Sequence, residues 1–464
     1  MTLIKSISGI RGTIGGKQGD NLTPIDVVKF ASAFAELIRK KNLAQKIKIV
    51  VGRDARISGE MVSSLVISTL NGMGADVVDL GLTTTPTVEI AVPEENAHAG
   101  IIITASHNPK QWNALKLLNE KGEFISAEEG AEVLRIAESS DLEFAEVDAL
   151  GKTRMATYLK RHIEKILDLQ LVNRQAISAA GFSVAVDGVN SSGGFYVPEL
   201  LRALGVQTIH ELYCTPDGNF PHNPEPLPEN LTEISKLVKE KKCNLGIVVD
   251  PDVDRLALIC EDGSMFGEEY TLVAVSDYVL THTPGNTVSN LSSTRALRDI
   301  TEARGLRYEA TAVGEVHVVA GMKEINALMG GEGNGGIIYP ELHYGRDALV
   351  GIALFLSHLA QSKMKMTAMR DSYPRYVISK NKIELQEGMD VDKILFEVQH
   401  LFPEARVNTT DGVKLDFEHE WVHLRKSNTE PIIRIYAESS SKENADALAK
   451  KVMKAINETA DHKR

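Results

Sequence analysis

The chain has 464 residues, with 51 Lys and Arg against 63 Asp and Glu, a formal net charge of −12, 43% apolar and 25% charged residues. These values exclude a disordered or fibrous chain, argue against a nucleic-acid scaffold or a membrane-surface binder, and at this length ask for three or four domains. The three cysteines, Cys214, Cys243 and Cys260, form no C-x-x-C, which excludes a disulfide framework or a Cys-rich zinc site and fits a reducing compartment. No apolar run reaches the roughly 18 residues of a membrane span, and the first residues lack a signal-peptide core, so a cytoplasmic protein is expected.

Short β-rich apolar runs alternate with helical patterns, the signature of βαβ units in parallel or mixed sheets. Residues 47–51 predict a strand, with Ser58 as the cap of a helix that Gly74 ends. A strand follows from Ala75, and another spans Ala99 to Thr104, apolar enough to be buried on both faces. The arrangement recurs with strands at 183–186 and 245–249 around a helix stopped by Gly205, and again with strands at 286–291, 306–312 and 335–339 around a helix stopped by Gly305. The segments from Gly74 to Pro86 and from Gly205 to Pro216 resemble one another, with Gly-to-Pro spacings of 12 and 11, so three related α/β units are expected. After about residue 370 five short strands, at 380–385, 406–408, 412–417, 420–425 and 432–438, and a closing helix from Lys442 predict an α+β domain of different architecture.

Four polar loops carry the chemistry. Thr104-Ala105-Ser106-His107-Asn108-Pro109 follows the doubly buried strand, at the sheet edge where α/β proteins bind ligands. Ser106 beside His107 is a candidate nucleophile without the acyl-hydrolase elbow; the alternative is a turn in which Ser and Asn cap a helix. Asp250-Pro251-Asp252-Val253-Asp254-Arg255 sets three carboxylates at alternate positions, suited to a hard cation such as Mg²⁺. A calcium EF-hand fails there, because Arg255 occupies the glycine position and a strand precedes the loop. Gly331-Glu332-Gly333-Asn334-Gly335-Gly336 has the letters of a dinucleotide loop but leads into a strand, so Glu332 and Asn334 are better read as partners for a polyhydroxyl ligand. Arg425-Lys426-Ser427-Asn428-Thr429-Glu430 joins two strands and offers an arginine fork with hydroxyls and amides for a phosphate.

These four motifs, in this order, resemble the α-D-phosphohexomutase family over essentially the whole chain. The resemblance implies four domains in a heart-like arrangement, three α/β and a C-terminal α+β domain, here divided as 1–150, 151–257, 258–370 and 371–464. It implies Ser106 as the phosphoserine, and Asp250, Asp252 and Asp254 with the phosphoserine as ligands of Mg²⁺. Arg11, in Ser8-Gly9-Ile10-Arg11-Gly12, would neutralise the phosphoserine, and His107 and Lys116 would assist proton transfer. Arg255, Glu332 and Asn334 would bind the sugar phosphate, and Arg425, Ser427, Asn428 and Thr429 would grip its non-reacting phosphate. The implied reaction moves a phosphoryl group between the 6- and 1-positions of a hexose phosphate through a bisphosphorylated sugar, with a hexose 1,6-bisphosphate as activator. The implied partner is this small molecule alone, with no nucleic acid or membrane, acting on a monomer or homodimer.

Two departures bear on the substrate. Many phosphomannomutase/phosphoglucomutases carry G-E-M-S-G-H where this chain has Asn334 and Gly336, and V-G-H where it has Val313-Gly314-Glu315. An acid after V-G resembles phosphoglucosamine mutases and would favour an ammonium substituent. Glucosamine phosphate is therefore the expected substrate, with glucose and mannose phosphates as the alternative. A non-catalytic sugar-phosphate-binding protein is a distant alternative, disfavoured by the intact serine, aspartates and Lys116. A plain phosphomonoesterase would have no use for a loop that holds a second phosphate.

Overall fold

Apolar runs became strands where expected in the computed structural model, which describes residues 2–6, 9–43, 45–139, 142–384, 391–426 and 432–461. The chain divides into two units, Met1–His282 with Asn334–Met369, and Thr283–Gly333 with Arg370–Arg464.

The first unit holds two sheets. A seven-stranded mixed sheet runs in the order Ile4–Ser6, Gly9–Thr13, Trp112–Leu118, Ala99–Ile103, Lys48–Arg53, Asp76–Leu82, Thr153–Met155. Ala99–Ile103 is buried at every position, as its unbroken apolar run required. A four-stranded sheet runs Leu256–Cys260, Leu245–Val249, Ser183–Asp187, Thr208–Leu212, with only the first strand antiparallel to its neighbour. The predicted cap at Ser58 is corrected: it precedes the helix Gly59–Gly72 but makes no side-chain cap, and its Oγ instead accepts a hydrogen bond from Asn113 Nδ2 at 2.9 Å. The helix Thr85–Glu94 escaped the sequence reading; Thr84 caps it, and Pro86 lies in its first turn. Cys243 and Cys260 are buried thiols and Cys214 is a partly buried one, and none of the three is in a disulfide.

In the second unit, Tyr308–Thr311, Asn286–Asn290 and Ala327–Glu332 form parallel neighbours. A separate antiparallel sheet runs Val377–Glu384, Ile432–Ser439, Trp421–Lys426, Val413–Asp416, Arg406–Asn408. Its apolar face packs on the helices Val391–Val398, not anticipated from sequence, and Lys442–Asp461.

Lys414 is buried in this unit against the Trp421 ring, 4.1 Å from its centroid, with Nζ donating to the Leu291 carbonyl at 2.8 Å. Burial pulls its ammonium down to about 8, against the opposing pull of Asp416 and Glu438. The unfolded chain keeps that proton until the ordinary lysine value of 10.5, so between the two the unfolded state binds more protons. This group therefore adds stability as pH rises from about 8 to about 10. Urea unfolding across that range should show the rise in the wild type and a flatter profile in Lys414→Met; equal slopes would contradict the burial argument.

Candidate active site

Two strand ends bring the first two motifs together. Ser106 follows Ala99–Ile103 and Asp250 follows Leu245–Val249, each at the carboxyl end of a parallel strand. Ser106 Oγ donates to Asp250 Oδ2 at 2.7 Å, although the residues are 144 apart in sequence. No helix follows the serine; the loop leads into the antiparallel strand Trp112–Leu118, which removes the helix-cap alternative.

The serine loop is held in an unusual shape. Ser106 has φ +48°, a left-handed conformation that costs a non-glycine residue roughly 1–2 kcal/mol. Its amide donates to Thr104 Oγ1 at 2.9 Å, and that hydroxyl donates to Asp54 Oδ2 at 2.6 Å. Arg56, absent from the sequence reading, completes the frame. Its side chain is fully buried, its Nε donates to Asp54 Oδ2 at 3.0 Å, and its two terminal nitrogens donate to the carbonyls of Ser106, Asn108, Pro109 and Trp112. The available signal was the Arg-Asp-Ala-Arg run closing a strand adjacent to the serine's own.

The aspartate loop is strained too, with Val253 at φ +64°, a rare conformation for a β-branched residue. Val253 thereby turns Asp252 and Asp254 toward Asp250. The ligand atoms of the three buried carboxylates lie within 4.8 Å of one another. The amides of Asp254 and Arg255 donate to Asp250 Oδ1, both at 3.1 Å. Lys116 Nζ donates to Asp252 Oδ2 at 2.7 Å and to Asp254 Oδ2 at 3.3 Å. Thr85 and Arg346, both missed from sequence, donate to Asp252 Oδ2 at 2.6 Å and Asp254 Oδ2 at 2.7 Å. The side-chain donors to Asp252 and Asp254 thus all reach their Oδ2 atoms, while Asp252 Oδ1 and Asp254 Oδ1 are buried without a hydrogen-bond partner. Buried carboxylate oxygens left bare are costly unless a cation takes them, so this all-oxygen donor set fits a hard divalent ion.

The charges interlock. Burial and the two neighbouring aspartates push the Asp250 carboxyl well above the usual range. Burial would raise Asp254 likewise, but Arg346, Lys116 and Arg255 outweigh it and hold it low. Lys116 is raised above the ordinary lysine value, because Asp252 and Asp254 overcome its burial. Burial, with Arg255 and Arg11 nearby, holds His107 well below the usual histidine value; its Nδ1 is 3.3 Å from Ser106 Oγ. Arg11 donates to Asn108 Oδ1 at 2.9 Å, on the serine loop.

The remaining motif residues lie elsewhere. Asn334 Oδ1 accepts the Gly336 amide at 3.2 Å within the first unit. Glu332 belongs to the second unit, where its Oε1 accepts from Asn290 Nδ2 at 2.8 Å and from the Gly314 amide at 3.1 Å. Arg425 ends the strand pair of that unit and is ion-paired with Asp411 at 2.7 Å. Ser8, Leu385, Ser427, Asn428 and Thr429 lie outside the described residues.

The chain matches all four domain descriptions of the phosphoglucomutase/phosphomannomutase family: alpha/beta/alpha domain I over residues 3–143, domain II over 160–263, domain III over 267–376 and the C-terminal domain over 382–455. A phosphoglucomutase/phosphomannomutase of Thermococcus kodakarensis is 36% identical over 440 residues, 94% of this chain and 95% of that protein. A probable phosphoglucosamine mutase of Methanopyrus kandleri is 33% identical over 446 residues, 95% of each chain. A phosphoglucomutase/phosphomannomutase family protein from Burkholderia thailandensis shares the fold, with a TM-score of 0.84 at 24% identity and 98% of each chain covered. The chain therefore belongs to the phosphoglucomutase/phosphomannomutase family. It is a phosphohexomutase, an isomerase that works by intramolecular phosphoryl transfer, with three α/β domains and a C-terminal domain. Among the described residues no helix is long and apolar enough to cross a membrane.

Proposed function

We propose that this phosphohexomutase interconverts glucosamine 6-phosphate and glucosamine 1-phosphate in the cytoplasm, with Ser106 as the phosphoryl carrier and domain seams near residues 150, 257 and 370. In the working cycle phosphorylated Ser106 gives its phosphoryl group to a free sugar hydroxyl: the serine O–P bond breaks, and a sugar O–P bond forms. The bisphosphorylated sugar then turns over, and its other phosphate returns to Ser106, so a hexose 1,6-bisphosphate also primes an unphosphorylated enzyme. His107 beside the serine and Lys116 among the aspartates assist the transfer of the hydroxyl proton. Arg11 offsets charge on the phosphoserine. Asp250, Asp252 and Asp254 would hold Mg²⁺, with the serine phosphate as a further ligand; when bound, that ion neutralises charge on the transferring group. Arg255, Glu332 and Asn334 contact the sugar phosphate, and Arg425 with Ser427, Asn428 and Thr429 grips the phosphate that does not react.

One observation carries the amino-sugar preference. Glu315, buried in the first turn of the helix Glu315–Glu324, and Glu332 flank a single turn, joined by the hydrogen bond from the Gly314 amide to Glu332. Two carboxylates at one turn favour a substrate carrying an ammonium group. The alternative, glucose and mannose phosphates, is supported by the name of the Thermococcus kodakarensis relative. Phosphorus NMR of the Mg²⁺ enzyme, primed with hexose bisphosphate and offered each sugar phosphate separately, should show glucosamine phosphate isomerised fastest. Glu315→Gln should then reduce that preference about tenfold, equivalent to about 1.4 kcal/mol. Faster turnover of glucose or mannose phosphate by the wild type would overturn the assignment.

A further inference from the structure

Asp411 stands outside all four motifs, yet one of its oxygens meets two of the proposed substrate-handling elements. Oδ2 pairs with Arg425 Nε at 2.7 Å and accepts the Val313 amide at 2.9 Å. The next amide in that turn, Gly314, goes to Glu332 Oε1 at 3.1 Å. Two consecutive amides of the turn that leads into Glu315 are thus held by two carboxylates, one of which also holds the phosphate-loop arginine.

The anchor is tied to the neighbouring strand and loop. The Asp411 carbonyl accepts from His423 Nε2 at 2.6 Å, and His423 Nδ1 in turn meets the Ser292 hydroxyl at 2.9 Å. Gly412 follows at φ +73°, so close to the neighbouring strand that a Cβ there would lie 2.1 Å from the Leu424 carbonyl. A side chain cannot be accommodated at position 412, so this close approach of the turn to the strand requires glycine. The pair itself is only partly exposed, at 20% for Arg425 and 22% for Asp411, so a phosphate can reach the arginine without first uncovering it.

We propose that Asp411 is a positioning residue that ties phosphate capture by Arg425 to the shape of the Val313–Glu315 turn, and through it to sugar selection. This rests on the reading that Arg425 grips the substrate's non-reacting phosphate. Asp411 aims the guanidinium while the site is empty. When a phosphate dianion shares the arginine, the carboxylate keeps the Val313 amide, so the turn is set in the same state in which the phosphate is held.

Two substitutions separate the two contacts. Asp411→Asn keeps an oxygen for the Val313 amide and loses the charge that aims Arg425. It should raise KM for each hexose phosphate about fivefold, the effect of one partly exposed ion pair, with kcat within about twofold. Asp411→Ala loses both contacts, and should in addition change the glucosamine-to-glucose ratio of kcat/KM by about fivefold. A merely structural aspartate would lower the melting temperature and leave that ratio where it was. Arg425→Ala is the control. If it raises KM, Asp411→Asn should add nothing further in its background. If Arg425→Ala raises KM while Asp411→Asn leaves KM unchanged, the positioning role is wrong and the phosphate grip stands. If Arg425→Ala leaves KM unchanged, the grip itself is wrong, and the coupling falls with it.

Discussion

Ser106→Ala is expected to reduce hexose-phosphate isomerisation more than about a thousandfold, the scale on which loss of a covalent nucleophile is felt. The physical reason is the absence of a substitute. Among the described residues the Ser106 hydroxyl is the one that donates to Asp250; the Thr85 hydroxyl in the same cluster is spent on Asp252 Oδ2. The loop should keep its shape, because its frame uses the serine amide and carbonyl rather than its hydroxyl. Calorimetry with a hexose phosphate should therefore give binding within a few-fold of the wild type, and phosphorus NMR should show no product. Wild-type rates in the alanine variant would sink the phosphoserine mechanism. A glycine at the same position would be equally inactive, but more stable than the alanine variant by roughly 1 kcal/mol, since it relieves the left-handed strain at φ +48°.

Arg56→Met should cost about 3–5 kcal/mol of stability, the usual penalty for removing one partner of a buried ion pair. Asp54 would be left inside the protein with only the Thr104 hydroxyl and the amide of residue 56 as donors, and four carbonyls of the serine loop would lose theirs. Burial already pushes the Asp54 carboxyl up, with Arg56 and Thr104 opposing. Without the arginine it would take up a proton to escape its own desolvation. Activity should fall about a hundredfold, since a misplacement of about 1 Å at the serine is enough to cost that much. Arg56→Lys should recover part of the stability and little of the activity, because an ammonium cannot serve a carboxylate and four carbonyls with the geometry of a guanidinium fork. Urea unfolding and isomerisation rates measured on both variants test this. Should the methionine variant fail to fold, the lysine variant carries the prediction: full activity in it would mean that the frame is not what holds Ser106.

Ser106 and the three aspartates were legible because each follows an unbroken apolar strand, and a short polar run at such a strand's end has few purposes. The metal-suited spacing of Asp250, Asp252 and Asp254 needed no tertiary information either. Arg56, Thr85 and Arg346 were not legible. Arg56 sits in a charged run, Thr85 in a threonine run and Arg346 before an apolar helix, and in none of these does the local sequence name a partner. Each acquires its role only when strands adjacent in space, but distant in sequence, bring a carboxylate or a carbonyl to it. Asp411 was hidden for the same reason, since its partners Val313 and Arg425 are 98 and 14 residues away.

The sequence by itself determined the alternation of strand and helix, the change of texture near residue 370, and the chemical identity of the four loops. These depend on local periodicity and on residue type, which one-dimensional order records in full. Only the tertiary structure decided which oxygens remain bare for a cation, which backbone positions are strained, and which buried cations hold the loops. Those properties arise mainly from packing between segments 50 to 167 residues apart, where burial removes water and makes every polar atom account for a partner.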